Sequence, residues 1–121
     1  MEPPASFREL LERYREGERD FSGADLDQDP GDDLTGVCLD GADFSRAWLR
    51  ADFRRASLRG ARFREANVKA CDFRGADLRE ADFSGAALCG ADFEGAVLDG
   101  ARFVGAYYHS HVFGESDKPV T

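Results

Sequence analysis

Three observations predict an all-β solenoid. From Phe53 to Phe113 a large apolar residue returns at every fifth position, thirteen times without a miss: Phe53, Leu58, Phe63, Val68, Phe73, Leu78, Phe83, Leu88, Phe93, Leu98, Phe103, Tyr108 and Phe113. Two residues before each stands an alanine, with Cys71 as a small substitute and His111 as the one break. Glycine recurs two places after the large residue, at Gly60, Gly75, Gly85, Gly90, Gly95, Gly100 and Gly105. A five-residue period matches neither the two of a strand nor the 3.6 of a helix, so no single amphipathic element runs through the stretch. A short extended piece followed by a turn does fit it. Each unit then turns one bulky and one small side chain inward, and successive coils pair as parallel ladders.

The units Ala-Asp-Phe-Ser-Gly (Ala81 to Gly85) and Ala-Asp-Phe-Glu-Gly (Ala91 to Gly95) carry a resemblance to the pentapeptide-repeat family. It covers about Phe21 to Phe113 and implies a right-handed quadrilateral parallel β-helix, four pentapeptides to a coil. Upstream the large residues are Phe21, Leu26, Leu34, Leu39, Phe44 and Leu49. The four-residue step from Leu49 to Phe53 omits a corner residue, and the eight-residue step from Leu26 to Leu34 holds an insertion, Asp27 to Asp33. Counted in fours, one face carries Leu34, Phe53, Phe73, Phe93 and Phe113, and the opposite one Phe21, Phe44, Phe63, Phe83 and Phe103. Aliphatic residues fill the other two, with Tyr108 ending one of them. The alternation of aromatic and aliphatic columns requires only an even number of sides. Nineteen inward positions make just under five coils, a rod about 23 Å tall at roughly 4.8 Å per ladder step.

Taken in order, the chain divides into a lead-in over 1–20, the repeat over 21–113 and a polar tail over 114–121. Ser6 to Glu16 is the one helical pattern: Phe7, Leu10, Leu11 and Tyr14 fall on one stripe, Ser6 and Glu9 make a capping box, and Gly17 supplies the stop. Eleven residues are marginal alone in water, so the stripe is expected to lie on the open end of the first coil as a short N-terminal capping α-helix. The insertion, with four aspartates, reads as an exposed acidic turn and lacks the ligand spacing of a calcium loop. In the tail of the repeat, Tyr107, Tyr108 and Phe113 are expected to cover the lower end. They are the candidate end-cap or homodimer interface.

Composition excludes several function classes. The 121 residues carry 42% hydrophobic and 33% charged side chains, with the apolar ones periodic and never in a long run, so neither disorder nor a membrane span is expected. Met1-Glu2-Pro3-Pro4 opens acidic with no apolar h-region after it, and the expected location is cytoplasmic. Cys38, Cys71 and Cys89 are too unevenly spaced for a disulfide framework or zinc site; Cys71 is expected buried, and Cys89 outward, where it is the one thiol weighed as reactive. His109 and His111 lack further ligands in sequence. No nucleophile elbow, phosphate loop or metal cluster is present, so no enzyme, cofactor or metal is expected.

Charge is uneven. Residues 1–50 hold six basic and thirteen acidic side chains, a balance of -7; residues 51–80 hold eight and five, giving +3; residues 81–121 hold two and six, giving -4, which together recover the net -8. The basic middle is a belt of six residues, each just after a large one: Arg54, Arg59, Arg64, Lys69, Arg74 and Arg79. Stacking in fours would set Arg74 over Glu94 and Arg79 over Asp99, and align Arg62, Asp82 and Arg102, so cross-rung pairing competes with use of the belt as a binding surface. An acidic chain without exposed aromatics among its basic residues is not expected to bind nucleic acid directly. The expected role is a rigid protein-binding or adaptor module. The family resemblance adds an alternative: a DNA-mimicking inhibitor or protector of type II topoisomerase, DNA gyrase, dimerising through the C-terminal end.

Overall fold

A computed structural model describes residues 2–26 and 34–121; the insertion read as an acidic turn lies outside them. The helix α1 spans Phe7–Arg15. Ser6 Oγ accepts the Glu9 N–H at 3.1 Å, while the Glu9 carboxylate reaches back to the Ala5 N–H at 2.7 Å, one residue beyond the usual capping-box partner. At the other end Gly17, at φ 100°, closes a Schellman turn: its N–H donates to the Tyr14 carbonyl and that of Glu18 to Arg13. The amphipathic stripe is real: Phe7 and Leu10 are fully buried in the same cluster as Phe21, Leu39 and Phe44.

The rest is a β-helix with very short strands. Among the described residues only β1 (Asp25–Leu26) and β2 (Trp48–Leu49) pair as a two-residue parallel ladder. Elsewhere each unit adds a single parallel bridge, because a five-residue repeat that spends its other residues on the corner has no more extended backbone to offer. From Asp52 onward the bridges join residues twenty apart, as in Asp52↔Asp72↔Asp92 and Arg62↔Asp82↔Arg102. Cys38↔Ser57, Asp43↔Arg62 and Trp48↔Asn67 are nineteen apart, where the corner residue between Leu49 and Phe53 is missing.

Among the described residues the complete corners follow one plan. The N–H of the small residue, most often alanine, donates to the carbonyl of the large residue three places back, as Ala76 does to Phe73 at 3.0 Å, and the residue at the third turn position has positive φ. Glycine suits that position, as at Gly75 (φ 69°), yet Arg46, Arg55, Glu65, Ala70 and Glu80 hold it with φ between 56° and 64°. The aspartate before the large residue locks the same turn. Its carboxylate accepts the N–H two residues on, from Ser22 on Asp20 through Arg74 on Asp72 to Glu94 on Asp92.

Inside, two phenylalanine stacks face each other. Phe44, Phe63, Phe83 and Phe103 lie nearly parallel at 4.6 to 5.2 Å, as do Phe53, Phe73 and Phe93 at 5.1 to 5.4 Å. The stacks meet edge to face, Phe73 against Phe83 at 5.5 Å. The lower end departs from the expected columns. The chain reverses there: β3 (Tyr107–Tyr108) pairs antiparallel with β4 (His111–Val112), and Phe113 bonds back to Ala106 and Gly105 through its N–H and carbonyl. This hairpin takes Tyr108 off its inward column, leaving it 40% exposed, and sets Phe113 beside Phe103 at 6.0 Å, tilted and 6% exposed. A sequence period presumes that the coil continues. Here the antiparallel pairing ends it.

Candidate functional site

The belt is largely self-neutralised. Arg54, Arg74 and Arg79 each fold back on the aspartate two residues earlier: Arg54 on Asp52 at 2.7 Å, Arg74 on Asp72 at 2.7 Å and Arg79 on Asp77 at 2.6 Å. Arg64 reaches Asp82 of the next rung at 2.8 Å, and Arg54 and Arg74 extend more loosely to Asp72 and Asp92, both at 3.8 Å. The pairings expected from stacking are therefore corrected. Arg74 takes Asp92 in preference to Glu94, Arg79 takes its own Asp77 in preference to Asp99, and Asp82 is claimed by Arg64 although Arg62 and Arg102 flank it in the backbone ladder. The reason is reach: the guanidinium meets its neighbour's carboxylate while that carboxylate also holds the turn N–H.

These contacts set the electrostatics. Hydrogen bonds from the Arg54, Arg74 and Arg79 guanidinium groups hold the Asp52, Asp72 and Asp77 carboxyls below the ordinary range. Partial burial pushes the Asp82 carboxyl up, but bonds from Ser84 and Arg64 outweigh it and the net direction is down. Arg59 and Lys69, the other two belt members, are exposed on the rod. Arg54, Arg55 and Arg74 also line a shallow recess of about 260 Å³ over Gly75.

At the upper end Tyr14 carries another perturbed group. Its hydroxyl donates to the Asp40 carbonyl at 2.8 Å, Arg19 lies 3.7 Å over its ring, and burial together with nearby Cys38 raises its pKa. In the coils below, the corresponding carbonyls of Arg59 and Arg79 accept from Gly41 and Gly60. At Asp40 the tyrosine hydroxyl takes the place of that glycine N–H.

At the lower end the three residues of the candidate interface separate. Phe113 joins the core, whereas Tyr107 and Tyr108 stay 42% and 40% exposed. Between the last coil and the tail lies an open cleft of about 250 Å³, with Phe93, Tyr108, Phe113, Pro119 and Val120 on its walls. Lys118 anchors the tail by donating to the Leu98 carbonyl at 3.0 Å. His111 sits edge-on to Phe113 at 4.8 Å. Cys71 is buried with its thiol 3.4 Å from the Leu49 carbonyl, Cys38 is exposed and Cys89 half-buried. Among the described residues no cluster of histidine, cysteine and carboxylate side chains could hold a metal ion, and no helix is long and apolar enough to cross a membrane.

One exposed aromatic departs from the expected surface. Trp48 is 53% exposed between Arg46 and Arg50, against the expectation that no exposed aromatic stands among basic residues. The signal was available: it occupies the outward position between Ala47 and Leu49.

Comparison with known proteins places this architecture. The family of pentapeptide repeats matches residues 47–79 and 76–107, with eight copies of the repeat. No curated protein matches the sequence. Among solved structures, the pentapeptide-repeat protein alr5209 from Nostoc PCC 7120 is 34% identical over 98% of this chain and 93% of its own, at a TM-score of 0.48. Rfr23 from the cyanobacterium Cyanothece 51142 is 26% identical at a TM-score of 0.60, over 74% of this chain, which spans 64% of Rfr23. QnrB1, a plasmid-mediated fluoroquinolone resistance protein, shares the fold at 24% identity and a TM-score of 0.54; 75% of this chain matches 47% of it. With a family match across half of its length and the inward columns it demands in place, this chain belongs to the pentapeptide-repeat family, whose members fold as right-handed β-helices.

Proposed function

We propose that this protein is a non-catalytic, four-sided rod of just under five coils, closed above by its helix, that binds another protein in the cytoplasm through its outer faces. The twenty-residue spacing of the bridges supports the four sides, and burial of Phe7 and Leu10 against the first coil supports the cap. The observation that carries the functional reading is the way charge is spent. Asp52, Asp72, Asp77 and Asp82 are each bound by an arginine, so the middle of the rod carries mixed, locally balanced charge. B-form DNA presents one negative charge per about 1.7 Å with no cation among its phosphates. A zwitterionic lattice on a rigid core suits protein recognition better than imitation of that polyanion.

The second reading is a DNA-mimicking inhibitor or protector of DNA gyrase. The net charge of -8 and the exposed pair Tyr107 and Tyr108, where two rods could join end to end, favour it. The fluoroquinolone resistance role named for QnrB1 motivates the test. Supercoiling by purified gyrase is measured with and without a quinolone, across a titration of the protein at two salt concentrations. No effect at tens of micromolar supports the protein-binding rod. Salt-sensitive inhibition or relief of quinolone poisoning sinks it in favour of mimicry, which further requires a two-chain mass by light scattering.

A further inference from the structure

The cleft at the lower end lies where the rod's own period would set one more strand. On the face built on Asp52, Asp72 and Asp92, each rung is joined to the next by two backbone bonds. The Asp72 N–H donates to the Ala51 carbonyl at 3.1 Å and the Phe53 N–H to the Asp72 carbonyl at 2.7 Å; Asp92 makes the same pair with Cys71 and Phe73. Counted on, His111 belongs below Ala91, Val112 below Asp92 and Phe113 below Phe93. An imidazole overfills a column of alanines and cysteine, and the hairpin carries Val112 to Tyr107 instead. Among the described residues no donor then reaches the Ala91 carbonyl and no acceptor the Phe93 N–H. Phe93 stacks on Phe73 above it at 5.1 Å and meets Phe83 and Phe103 edge to face, and its column ends there.

The tail does not close this edge. Val120 is 96% exposed, and the Gly95 N–H meets the Thr121 carbonyl only at 3.5 Å. Charge and size choose among occupants. Asp52 and Asp72 are each clamped by the arginine two residues on, but Glu94 stands at that place after Asp92. The Asp92 side chain is left half exposed with Arg74 at 3.8 Å, Glu94 makes no ion pair among the described residues, and Lys118 of the tail is turned to the Leu98 carbonyl. A basic occupant suits that rim. A second copy would bring the same acidic end against it, since residues 81–121 carry -4. Its one small-x-large segment outside the repeat, Ala5-Ser6-Phe7, already has Phe7 fully buried. The cleft of about 250 Å³ is also below the roughly 300–1,000 Å³ of sites for drug-sized ligands. One extended segment fits it, because an open ladder edge takes a strand through its main chain and the side-chain columns select the sequence.

We propose that the edge from Ala91 to Glu94 takes an extended basic segment of a partner protein as one further parallel rung, with the pattern small, basic, aromatic, basic. The small residue continues the Ala91 column and the aromatic one stacks under Phe93. The first basic residue donates its N–H to the Ala91 carbonyl, accepts the Phe93 N–H on its own carbonyl and sets its side chain by Asp92. The second lies by Glu94. The assignment rests on the protein-binding reading above and names the surface and the chemistry of the partner.

The probe is the peptide Gly-Ser-Ala-Arg-Phe-Arg-Gly, labelled with fluorescein at its N-terminus, titrated with the full-length protein and followed by anisotropy. Saturable binding is expected. N-methylation of the peptide's first arginine, which removes the N–H meant for Ala91, should weaken it at least fivefold, and Asp92→Asn or Glu94→Gln in the protein at least threefold. Asp99→Asn, on the neighbouring face, should leave it unchanged. Circular dichroism melts of the three variants should match the parent, since each keeps the shape of an exposed side chain and the asparagine oxygen still accepts the Glu94 N–H. Absence of saturation by 1 mM protein, or equal binding of the N-methylated peptide, overturns the proposal while the protein-binding reading stands. An equal loss in Asp99→Asn overturns it in favour of unspecific attraction between opposite charges. Displacement of the probe by an equal concentration of N-acetylphenylalanine amide overturns it in favour of a small aromatic molecule. A two-chain mass by light scattering that the peptide reduces to one chain overturns it in favour of a second copy. Inhibition of gyrase removes the protein-binding reading itself, and the proposal with it, whatever the peptide does.

Discussion

The two ends of the rod solve one problem with different materials. Above, a helix with its own caps lays Phe7 and Leu10 into the core and lends a tyrosine hydroxyl to the first coil's Asp40 carbonyl. Below, a two-residue hairpin and a polar tail do the work. Phe113 alone is driven inward, Tyr108 stays out, and Lys118 ties the tail to one carbonyl beside an open cleft. Any coil stack must cover its terminal rungs, whose apolar and backbone groups would otherwise recruit another chain. The helix contributes Phe7 and Leu10 to the core, whereas the tail contributes the Lys118 bond to the Leu98 carbonyl. At the lower end Tyr107 and Tyr108 remain exposed.

Mid-stack and end-stack aromatics give the sharpest test of that difference. Phe83→Ala removes a ring stacked on both Phe63 and Phe103, and should cost about 3–5 kcal/mol by chemical denaturation. Phe113→Ala, at the thinly covered end, should cost less than half as much; equal losses would mean that the lower end is as tightly closed as the middle. Leu10→Ala tests the upper closure directly, with an expected loss of about 2–5 kcal/mol. A loss near zero would show that the helix does not share the core. Ser6→Ala, which removes only the helix's N-cap, should cost about 1 kcal/mol in the same assay.

Between the ends, the backbone itself carries cost. Arg46, Arg55, Glu65, Ala70 and Glu80 all hold left-handed corners in the middle of the chain. A left-handed non-glycine residue costs about 1–2 kcal/mol, and glycine returns about half of that through the freer unfolded chain. Ala70→Gly should therefore stabilise by about 0.5–1 kcal/mol, and a destabilised variant would contradict the corner assignment. The smallest effect expected is on acid stability. The Asp52, Asp72 and Asp77 carboxyls are held low in the folded state, so their stabilising contribution is complete above the ordinary carboxylate pKa near 4 and falls as pH drops through the lower folded values. Melting temperatures from pH 7 to 2 in the parent and in an Asp52→Asn, Asp72→Asn, Asp77→Asn triple variant should converge at low pH.

Much of this was legible because each inward position is decided locally. A large apolar residue at every fifth position, with a small one two before it, leaves one arrangement that buries both, and the columns through Phe63, Phe73 and Phe83 follow. The role of aspartate was harder to read. In sequence it resembles solvated surface, and only the folded turn shows its carboxylate accepting the N–H two residues on. Tyr108 was misplaced because it obeys the period while its backbone obeys the hairpin. Trp48 was readable and overlooked, since its outward position follows from the same count that buries Leu49.

The period by itself determined which side chains turn inward, where the corners fall and that successive coils stack, because sterics and burial act alike on every unit. Only the tertiary structure decided which carboxylate each arginine takes and where the coil stops. Those outcomes depend on side-chain reach and on pairing between residues distant in the chain. Their alternatives differ by less energy than one buried phenylalanine contributes, so a repeat pattern leaves them open until the coils are set beside one another.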